Sequence, residues 1–379
     1  MNIGIDARMF GLKHAGIGRY VENLINEISG VITKKSFTVT LFSDSKTLSF
    51  LKKEYGKKFQ YCQADFPHYS LKEQLFFATT LYKSNIDLIH FPHFNIPLLY
   101  RDPFIVTIHD LIKNYSRGPQ TTTRHPLLYQ LKYYGYRRVL KHAIEKSQLI
   151  FVPSQFVKND ILENYKVLAN KIIVTYEGVD EKLKISKSKN HQILAKYKIK
   201  KPYLLYVGSA YPHKNLQCLI KMIKIARQNH PHLTLVIVSA RNIFLQRLQK
   251  KINEEKAKNF IKLAGFVPDA DLVQLYRQAT AFVFPSLSEG FGLPPLEAMQ
   301  NDCPVISSNA SCLPEIYGQA ALYFDPCQPQ ETAEQINRLL NNPALKKDLI
   351  KKGHKKARQY SWQKMAEKTV SGYEKILGK

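Results

Sequence analysis

Short apolar runs alternate with helix-like stretches along most of the chain. The runs Leu88 to Phe91, Phe104 to Ile108 and Leu149 to Pro153 have the length of buried strands and are rich in Ile, Val and Phe. Helix-like periodicity lies between such runs, for example from Tyr20 to Gly30. This alternation predicts an α/β fold with parallel sheets.

A second series of strand-like runs follows a polar stretch. Residues 181–201 are rich in Lys, Ser and Asn, and the next runs are Tyr203 to Val207, Leu233 to Ser239, Ile261 to Val267, Ala281 to Phe284 and Ala321 to Phe324. Because 379 residues exceed one typical core, we expect two domains. We place them at 1–185 and 186–358, with a final helix over 359–379.

The segment from Phe284 to Met299 carries the strongest candidate chemistry. A buried strand runs into Gly290, Phe291, Gly292 and Leu293, and two prolines then suit the first turn of a helix. Amides at a helix N-terminus and flexible glycines favour a bound phosphate. Glu289 and Glu297 flank this anion site, where they would accept hydrogen bonds from neutral hydroxyls. A molecule with hydroxyls on both sides of a diphosphate is a nucleotide sugar.

Two further strand-to-helix turns also contain glycine. Gly16 and Gly18 lie between the first strand and first helix, where a bare turn and a phosphate loop are both open interpretations. Gly208 ends another strand, and Lys214 follows just before a helix. Lys214 is our candidate cation for the leaving diphosphate, with an ordinary surface lysine as the alternative.

Glu289 and Glu297 are separated by seven residues within Ser-Glu-Gly-Phe-Gly-Leu-Pro-Pro-Leu-Glu-Ala. This run resembles the signature of retaining glycosyltransferases of the GT4 type. The resemblance implies the GT-B fold: two Rossmann-like domains facing across a cleft, with a C-terminal helix crossing back to the N-terminal domain. It also implies transfer from a nucleoside-diphosphate sugar without metal or cofactor, with Glu289 fixing the sugar and Glu297 the ribose.

The same resemblance assigns roles outside this segment. His109, in Ile-His-Asp-Leu, resembles a histidine that related enzymes present to the donor sugar. Gly16 and Gly18 would face the donor phosphate and acceptor, and the backbone at Phe266 and Val267 would meet the base. Many relatives carry an arginine shortly before the lysine, but residues 209–213 here are Ser-Ala-Tyr-Pro-His. The second cation for the diphosphate therefore stays unassigned.

His90, His93, His109 and Asp110 lie at separate strand ends without the spacing of metal ligands. We therefore predict no metal. The five cysteines are scattered, which fits reduced thiols in a cytoplasmic protein. No basic leader with an apolar centre precedes the first strand, so we expect no signal peptide.

A net charge of +26 favours anionic partners. Residues 113–146 combine Lys and Arg with Tyr and have Glu145 as their one acid, which is typical of a membrane-surface helix and also of a solvated one. We hypothesise that this segment docks on anionic lipid at the inner face of the plasma membrane, where a lipid-linked acceptor would wait. A glycan acceptor is the other interpretation.

Other functions remain open at this stage. A phosphorylase or hydrolase could use the same fold, and a non-catalytic nucleotide-binding protein could use the same loops. The charge alone would also suit a nucleic-acid-binding protein, but no recognised nucleic-acid module is present, so we expect no nucleic acid. Gly-Ile-Asp-Ala-Arg and Gly-Ile-Gly-Arg-Tyr near the N-terminus resemble enzymes that build surface polysaccharides, often with GDP-mannose. Mannose is our preferred sugar.

Overall fold

The structure is a computed structural model, and it describes residues 1–32, 37–116, 118, 122, 125–180, 192–240 and 242–378. Within these residues the chain forms two compact units. Unit 1 comprises residues 1–111, 122–177 and 361–379, and unit 2 comprises residues 112–121 and 178–360. None of the helices in the described part of the chain is long and apolar enough to cross a membrane.

Every strand pairs in parallel with its neighbours. The strands are β1 (Asn2–Asp6), β2 (Thr38–Ser43), β3 (Gln60–Gln63), β4 (Leu88–Phe91), β5 (Phe104–Thr107), β6 (Leu149–Val152), β7 (Ile172–Val174), β8 (Tyr203–Val207), β9 (Thr234–Val238), β10 (Ile261–Gly265), β11 (Ala281–Phe284), β12 (Val305–Ser308) and β13 (Ala321–Phe324).

Helices connect these strands. They are α1 (Ala15–Val31), α2 (Ser45–Tyr55), α3 (Ala78–Lys83), α4 (Ile112–Tyr115), α5 (Pro126–Lys146), α6 (Gln155–Asn164), α7 (Gln192–Lys196), α8 (Leu216–Asn229), α9 (Ile243–Glu254), α10 (Asp269–Gln278), α11 (Leu293–Gln300), α12 (Leu313–Tyr317), α13 (Pro329–Leu340), α14 (Pro343–Ala357) and α15 (Trp362–Leu377).

Unit 1 is built on a seven-stranded sheet in the order β3-β2-β1-β4-β5-β6-β7. The central strands β4, β5 and β6 are buried along their whole length, as continuous apolar runs in a parallel sheet require. Helix α15 belongs to this unit and packs on α1 and β6. Ser361 is the N-cap residue of α15 and makes no side-chain cap hydrogen bond, although a serine before a helix predicts one.

Unit 2 is built on a six-stranded sheet in the order β10-β9-β8-β11-β12-β13. Both sheets are doubly wound, and the strand order reverses between β1 and β4 in unit 1 and between β8 and β11 in unit 2. In such sheets ligands bind beyond the carboxyl ends of the strands at this reversal. In unit 2 the fold therefore predicts a ligand site at the loops after Val207 and Phe284.

The strand and helix pattern agrees with the sequence analysis except at particular places. Strand β3 was not predicted, because it lies at the sheet edge and its residues are exposed or half-buried. Gly16 and Gly18 are not in a loop but in the first turn of α1, which begins at Ala15. Gly18 lets α1 lie close to the preceding segment, since an added Cβ would be 1.9 Å from the Gly11 carbonyl oxygen.

The division into units differs from the predicted domains at three segments. Of the described residues, 112–116, 118 and 178–180 group with unit 2 although they fall inside the predicted N-terminal domain, and 359–360 group with unit 2 although they fall inside the predicted final helix. Chain order alone does not show which unit a connecting segment joins. The predicted boundary between residues 185 and 186 lies outside the described residues.

Candidate functional site

The loop after β8 forms one side of the candidate site in unit 2. Gly208 has φ of +151°, and an added Cβ would lie 2.8 Å from the Tyr206 hydroxyl oxygen. That hydroxyl donates to the carbonyl oxygen of Ser209 at 2.9 Å. A 3-10 turn over Pro212–Lys214 then leads into α8. The turn places Lys214 beyond the carboxyl end of β8.

The loop after β11 forms the opposite side. The Leu287 amide donates to the His213 carbonyl oxygen at 2.8 Å, so the two loops are joined through their backbones. Both loops follow neighbouring strands at the reversal of strand order. The sheet topology thus brings together two segments that are distant in sequence.

Lys214 and Glu289 form an ion pair at this point. The Lys214 ammonium donates to both carboxylate oxygens of Glu289, at 2.6 and 2.8 Å, and 75 residues separate the two positions. Their side chains are 18% and 9% exposed, respectively. The ammonium also lies 5.7 Å from the centre of the Phe284 ring. A mostly buried pair of a cation and an acid therefore lies beyond the carboxyl end of β11, the strand that precedes α11.

Helix α11 begins at Leu293, and Gly292 is its N-cap residue with φ of +89°. A helix leaves the N–H groups of its N-cap residue and first three residues without helical partners. Pro294 and Pro295 have no N–H. The amides of Gly292 and Leu293 are therefore the donors that remain at this helix end, next to Glu289. Both amides suit an anion at the positive end of the helix dipole.

Side chains following β12 hold this loop in place, and the sequence analysis did not identify them. The Tyr317 hydroxyl donates to the Gly292 carbonyl oxygen at 2.7 Å. The Ser311 hydroxyl accepts from the Glu289 amide at 3.0 Å. A Cβ at residue 292 would lie 2.3 Å from the Tyr317 hydroxyl oxygen, so glycine is required there. Burial raises the pKa of Tyr317 well above its usual value, which keeps the hydroxyl protonated as a donor.

Glu297 lies on α11 and is only 6% exposed. One of its carboxylate oxygens accepts from the Tyr276 hydroxyl at 2.9 Å. The Glu297 carbonyl oxygen accepts from the Asn301 side-chain amide at 2.9 Å. The Tyr276 hydroxyl is thus one partner of this acid, whereas Glu289 accepts from the Lys214 ammonium.

The two residues predicted to meet the base lie after β10. Phe266 is 68% exposed, whereas Val267 is buried. Strand β10 ends at Gly265, two residues earlier than the predicted strand. The structure thus places an exposed aromatic ring and a backbone turn at this carboxyl end.

His109 lies in unit 1, just beyond the carboxyl end of β5. Its Nε2 lies 2.9 Å from the Pro92 carbonyl oxygen, and its Nδ1 lies 3.3 Å from Glu177 Oε1. Burial alone would lower the pKa of His109, but the hydrogen bond and charge of Glu177 outweigh it and raise this pKa. Both ring nitrogens face protein partners, and Glu177 helps to orient the ring. The sequence analysis missed Glu177, which follows β7 in an apparently ordinary turn.

A second polar cluster lies at the strand-order reversal of unit 1. Arg8 donates to both carboxylate oxygens of Asp6, at 2.8 and 2.7 Å, and lies 2.8 Å from Glu73. Glu73 also accepts from the Asn95 side-chain amide at 2.7 Å. Burial would raise the pKa of Asp6, but Arg8 outweighs it and lowers this pKa. Sequence spacing gave no sign of this cluster, because Glu73 and Asn95 come from other parts of the chain than Asp6 and Arg8.

The described residues contain no group of three or more His, Cys, Asp or Glu side chains arranged to hold a metal ion. His90 and His93, which lie near His109 in sequence, do not form such a group. His90 has two protein hydrogen-bond partners instead.

Comparison with known proteins connects these features with a family. Residues 15–183 match the model of Glycosyltransferase Family 4, and residues 186–356 match the model of Glycosyl transferases group 1. The chain is 30% identical over 241 residues to O-antigen chain mannosyltransferase B of Escherichia coli, covering 62% of this chain and 62% of that protein. It is 29% identical to O-antigen chain mannosyltransferase RfbU of Salmonella typhimurium, covering 75% and 72% respectively.

A solved structure supports the fold. The Anabaena Alr3699/HepE structure in complex with UDP-glucose superposes with a TM-score of 0.74 at 18% sequence identity, covering 98% of this chain and 99% of that one. The two parallel, Rossmann-like sheets are those of the GT-B fold, and the matches to the two family models show that the chain is a glycosyltransferase. The chain belongs to the GT4-type family, the glycosyl transferases group 1.

Proposed function

We propose that the protein transfers a hexose, preferably mannose, from a nucleoside-diphosphate sugar to a hydroxyl of a glycan or lipid-linked acceptor in surface polysaccharide synthesis. The observation that carries this proposal is the Lys214–Glu289 ion pair beside the amides that open α11. The names of the two O-antigen mannosyltransferases support mannose. The aligned region covers 62% of the first relative's length. The identities of the sugar and the acceptor are therefore part of the proposal.

The ion pair suggests how donor binding proceeds. In the structure, each charge of the pair is neutralised by the other at 2.6 Å. A diphosphate arriving at the Gly292 and Leu293 amides competes for the Lys214 ammonium and releases Glu289. The released carboxylate lies on the sugar side of the diphosphate, where it accepts hydrogen bonds from sugar hydroxyls. Glu297 and the turn at Phe266 and Val267 would bind the ribose and base.

Bond cleavage is then a matter of stabilising a leaving anion. The bond between the sugar anomeric carbon and the diphosphate oxygen breaks, and the diphosphate keeps the electron pair. Lys214 and the two amides stabilise that charge in a mostly buried site. The acceptor oxygen bonds to the anomeric carbon, and its proton passes to a phosphate oxygen of the leaving group. In the family's retaining reaction the acceptor joins the sugar face that the diphosphate leaves.

His109 contributes to the same proposal through unit 1. Its raised pKa favours the charged ring, and a sugar hydroxyl or phosphate oxygen would accept from Nε2 in place of the Pro92 carbonyl, while Nδ1 stays with Glu177. Glu177 and the Pro92 carbonyl fix the ring orientation. We propose His109 as a donor-sugar ligand whose geometry depends on Glu177. Gly16 and Gly18, in the first turn of α1, are proposed to lie near the donor phosphate.

Glu289→Gln tests the proposal directly. The substitution removes the charge that we assign to the sugar, and we expect turnover with GDP-mannose to fall by about 100-fold or more. Glu297→Gln should mainly raise KM for the donor. Glu334→Gln is the matched control, since Glu334 is exposed on α13 of the same unit. Wild-type turnover in Glu289→Gln, with an unchanged melting temperature, would remove the assignment.

The nucleotide is tested by thermal shift with GDP, UDP, ADP and dTDP. A ligand that binds only the folded state raises the stability of that state. Because mannose from GDP-mannose is the preferred donor sugar, we expect GDP to give the largest stabilisation. Activity with and without EDTA tests the proposal that no metal is required. Phosphate-dependent release of sugar phosphate, in the absence of an acceptor, would instead indicate a phosphorylase.

A further inference from the structure

The outer face of α5 exposes large apolar side chains. Leu127, Leu131 and Tyr134 are 71%, 68% and 59% exposed. Their spacing of four and three residues places them on one stripe of the helix, and Leu128 is also exposed beside it. A solvated helix usually presents polar side chains on this face, so the stripe requires an explanation.

The inner face of α5 already supplies the helix with its packing. Leu140 and Ile144 are fully buried in the core of unit 1. Tyr136 packs edge-on against Phe94, with ring centres 5.1 Å apart. The outer leucines are therefore not needed to hold the helix in place.

A second exposed apolar patch lies beside the same aromatic anchor. Leu71, Leu75 and Phe76, around the π-helical turn Glu73–Phe77, are 81%, 52% and 54% exposed. Tyr69, at the start of this segment, lies 6.3 Å from Phe94 between ring centres. Phe94 thus lies between this segment and the inner face of α5. Two exposed apolar patches flank one aromatic cluster of unit 1.

Basic side chains accompany the apolar stripe. Lys132 and Arg137 are exposed on either side of it, and Arg138 and Lys141 continue the stripe towards the C-terminal end of α5. Arg138 donates to the Tyr134 hydroxyl at 3.1 Å. The one acid of α5, Glu145, lies 3.8 Å from Lys141. The surface is therefore apolar at one end and cationic beyond it, which suits lipid chains below a layer of anionic headgroups.

The fold also places the apolar end of α5 near the polar edge of the sheet. Strands β5 and β6 are parallel neighbours, and α5 connects them. In such a connection the helix runs opposite to the strands, so its N-terminus lies at their carboxyl ends. His109 follows β5 at this same edge. Residues 117, 119–121, 123 and 124 of the predicted docking segment lie outside the described residues, so the argument rests on α5 and on residues 69–77.

We infer that the α5 stripe of Leu127, Leu131 and Tyr134, with its flanking basic residues, docks on an anionic phospholipid bilayer, and that the exposed side chains of Leu71, Leu75 and Phe76 provide a second apolar contact. Apolar side chains enter the interface while Lys and Arg contact lipid phosphates. The net charge of +26 adds long-range attraction to the same surface. Only the link to a lipid-linked acceptor rests on the proposed function; lipid binding itself does not.

Vesicle flotation of the full chain tests the inference. We expect binding to vesicles of phosphatidylcholine with about 30% phosphatidylglycerol, and at least about tenfold weaker binding to phosphatidylcholine alone. Leu131→Ser should lower binding to the anionic vesicles by about tenfold, since a buried leucine side chain contributes strongly to interfacial binding. Leu168→Ser is the matched control, because Leu168 is 72% exposed elsewhere on unit 1 and should leave binding unchanged.

A charge series separates the electrostatic part. Lys132→Gln and Arg137→Gln should each lower binding about fivefold, as expected for loss of one basic residue near an anionic surface. The control pair Lys57→Gln and Lys58→Gln removes exposed charge from a different part of unit 1 and should have little effect.

Three outcomes would overturn the inference. They are absent binding, equal binding to neutral and anionic vesicles, and equal losses in the Leu131→Ser and Leu168→Ser variants. A dimer that Leu131→Ser dissociates, without change in vesicle binding, would assign the surface to a second copy instead. Sugar transfer to a water-soluble acceptor is measured in parallel. Lipid binding without any transfer would leave the inference standing and reject the proposed function.

Discussion

At the scale of single residues, His90 links three elements of unit 1 through buried hydrogen bonds. Its Nδ1 lies 2.7 Å from the Tyr373 hydroxyl oxygen, and its Nε2 lies 2.8 Å from Thr107 Oγ1. Thr107 in turn lies 3.2 Å from the Tyr20 hydroxyl oxygen. Burial lowers the pKa of His90 to about 3, so the ring is neutral at ordinary pH. His90 is therefore a core residue that connects β4 with α15.

The depressed pKa makes unit 1 sensitive to acid. The pKa of His90 is lower in the folded than in the unfolded state, so its contribution to stability is complete above about pH 6.5 and is lost towards about pH 3. His109 acts in the opposite direction: its raised pKa gives stability that is lost as pH rises through its folded pKa. Below about pH 6.5, we expect the free energy of unfolding of the wild type to decrease as pH falls, more steeply than that of His90→Gln. The difference in slope should be up to about 1.4 kcal/mol per pH unit.

Urea unfolding at several pH values measures this difference. The protein has a single tryptophan, Trp362, which lies in unit 1 and reports the unfolding of that unit. Parallel pH dependences for the wild type and His90→Gln would show that His90 is not the responsible group.

At the scale of secondary-structure elements, α15 is held close to the sheet by a glycine. A Cβ at Gly372 would lie 2.6 Å from a ring carbon of Phe151 and 2.9 Å from a side-chain carbon of Leu149. Both neighbours are buried in β6. The close approach of α15 to β6 therefore depends on the missing side chain.

Two Gly→Ala substitutions should have opposite effects on unit 1. Gly372→Ala should cost about 1–3 kcal/mol, because the added methyl group overpacks the helix against Phe151. Gly135→Ala should gain up to about 1 kcal/mol, since Gly135 lies in α5 with open space around an added Cβ, and alanine is the better helix former. Urea unfolding followed by Trp362 fluorescence compares both. A loss of stability in both variants would show that helix propensity is not the controlling difference.

At the scale of the whole molecule, each unit has its own parallel sheet and its own reversal of strand order. The polar clusters differ between them. Unit 2 carries the Lys214–Glu289 pair beside a helix N-terminus, whereas unit 1 carries His109 with Glu177 and the Asp6–Arg8–Glu73 cluster. The arrangement favours diphosphate binding in unit 2.

Hydrogen exchange with GDP tests this division of roles. At a GDP concentration of about 100 times Kd, binding should stabilise the folded protein by about 2.7 kcal/mol. We expect slower exchange at residues 206–216 and 285–297, which form the two loops of the candidate site, and unchanged exchange in α5. Protection confined to unit 1 would contradict the assignment of the donor site.

The sequence determined the features that depend on local pattern. Strands β4 and β13 were predicted residue for residue, and the turn from β11 into α11 was recognised from its glycines and prolines. The matches to glycosyltransferase models confirm the predicted family. Such features are readable because a buried strand needs a continuous apolar run and a helix start needs particular residues.

Only the tertiary structure decided which side chains meet. Lys214 reaches Glu289 because β8 and β11 are neighbours at the reversal of strand order, and nothing local to either residue specifies that pairing. Glu177 reaches His109 from the loop after β7, although β6 lies between β5 and β7, and Tyr317 supports Gly292 because β12 is the neighbour of β11. Local sequence was misleading at Gly18, where a glycine suggested a loop. In the structure this residue lies in α1 and allows the helix to pack closely against the preceding segment. Local sequence fixes backbone preferences, whereas contacts between distant loops follow from the order in which strands assemble into a sheet.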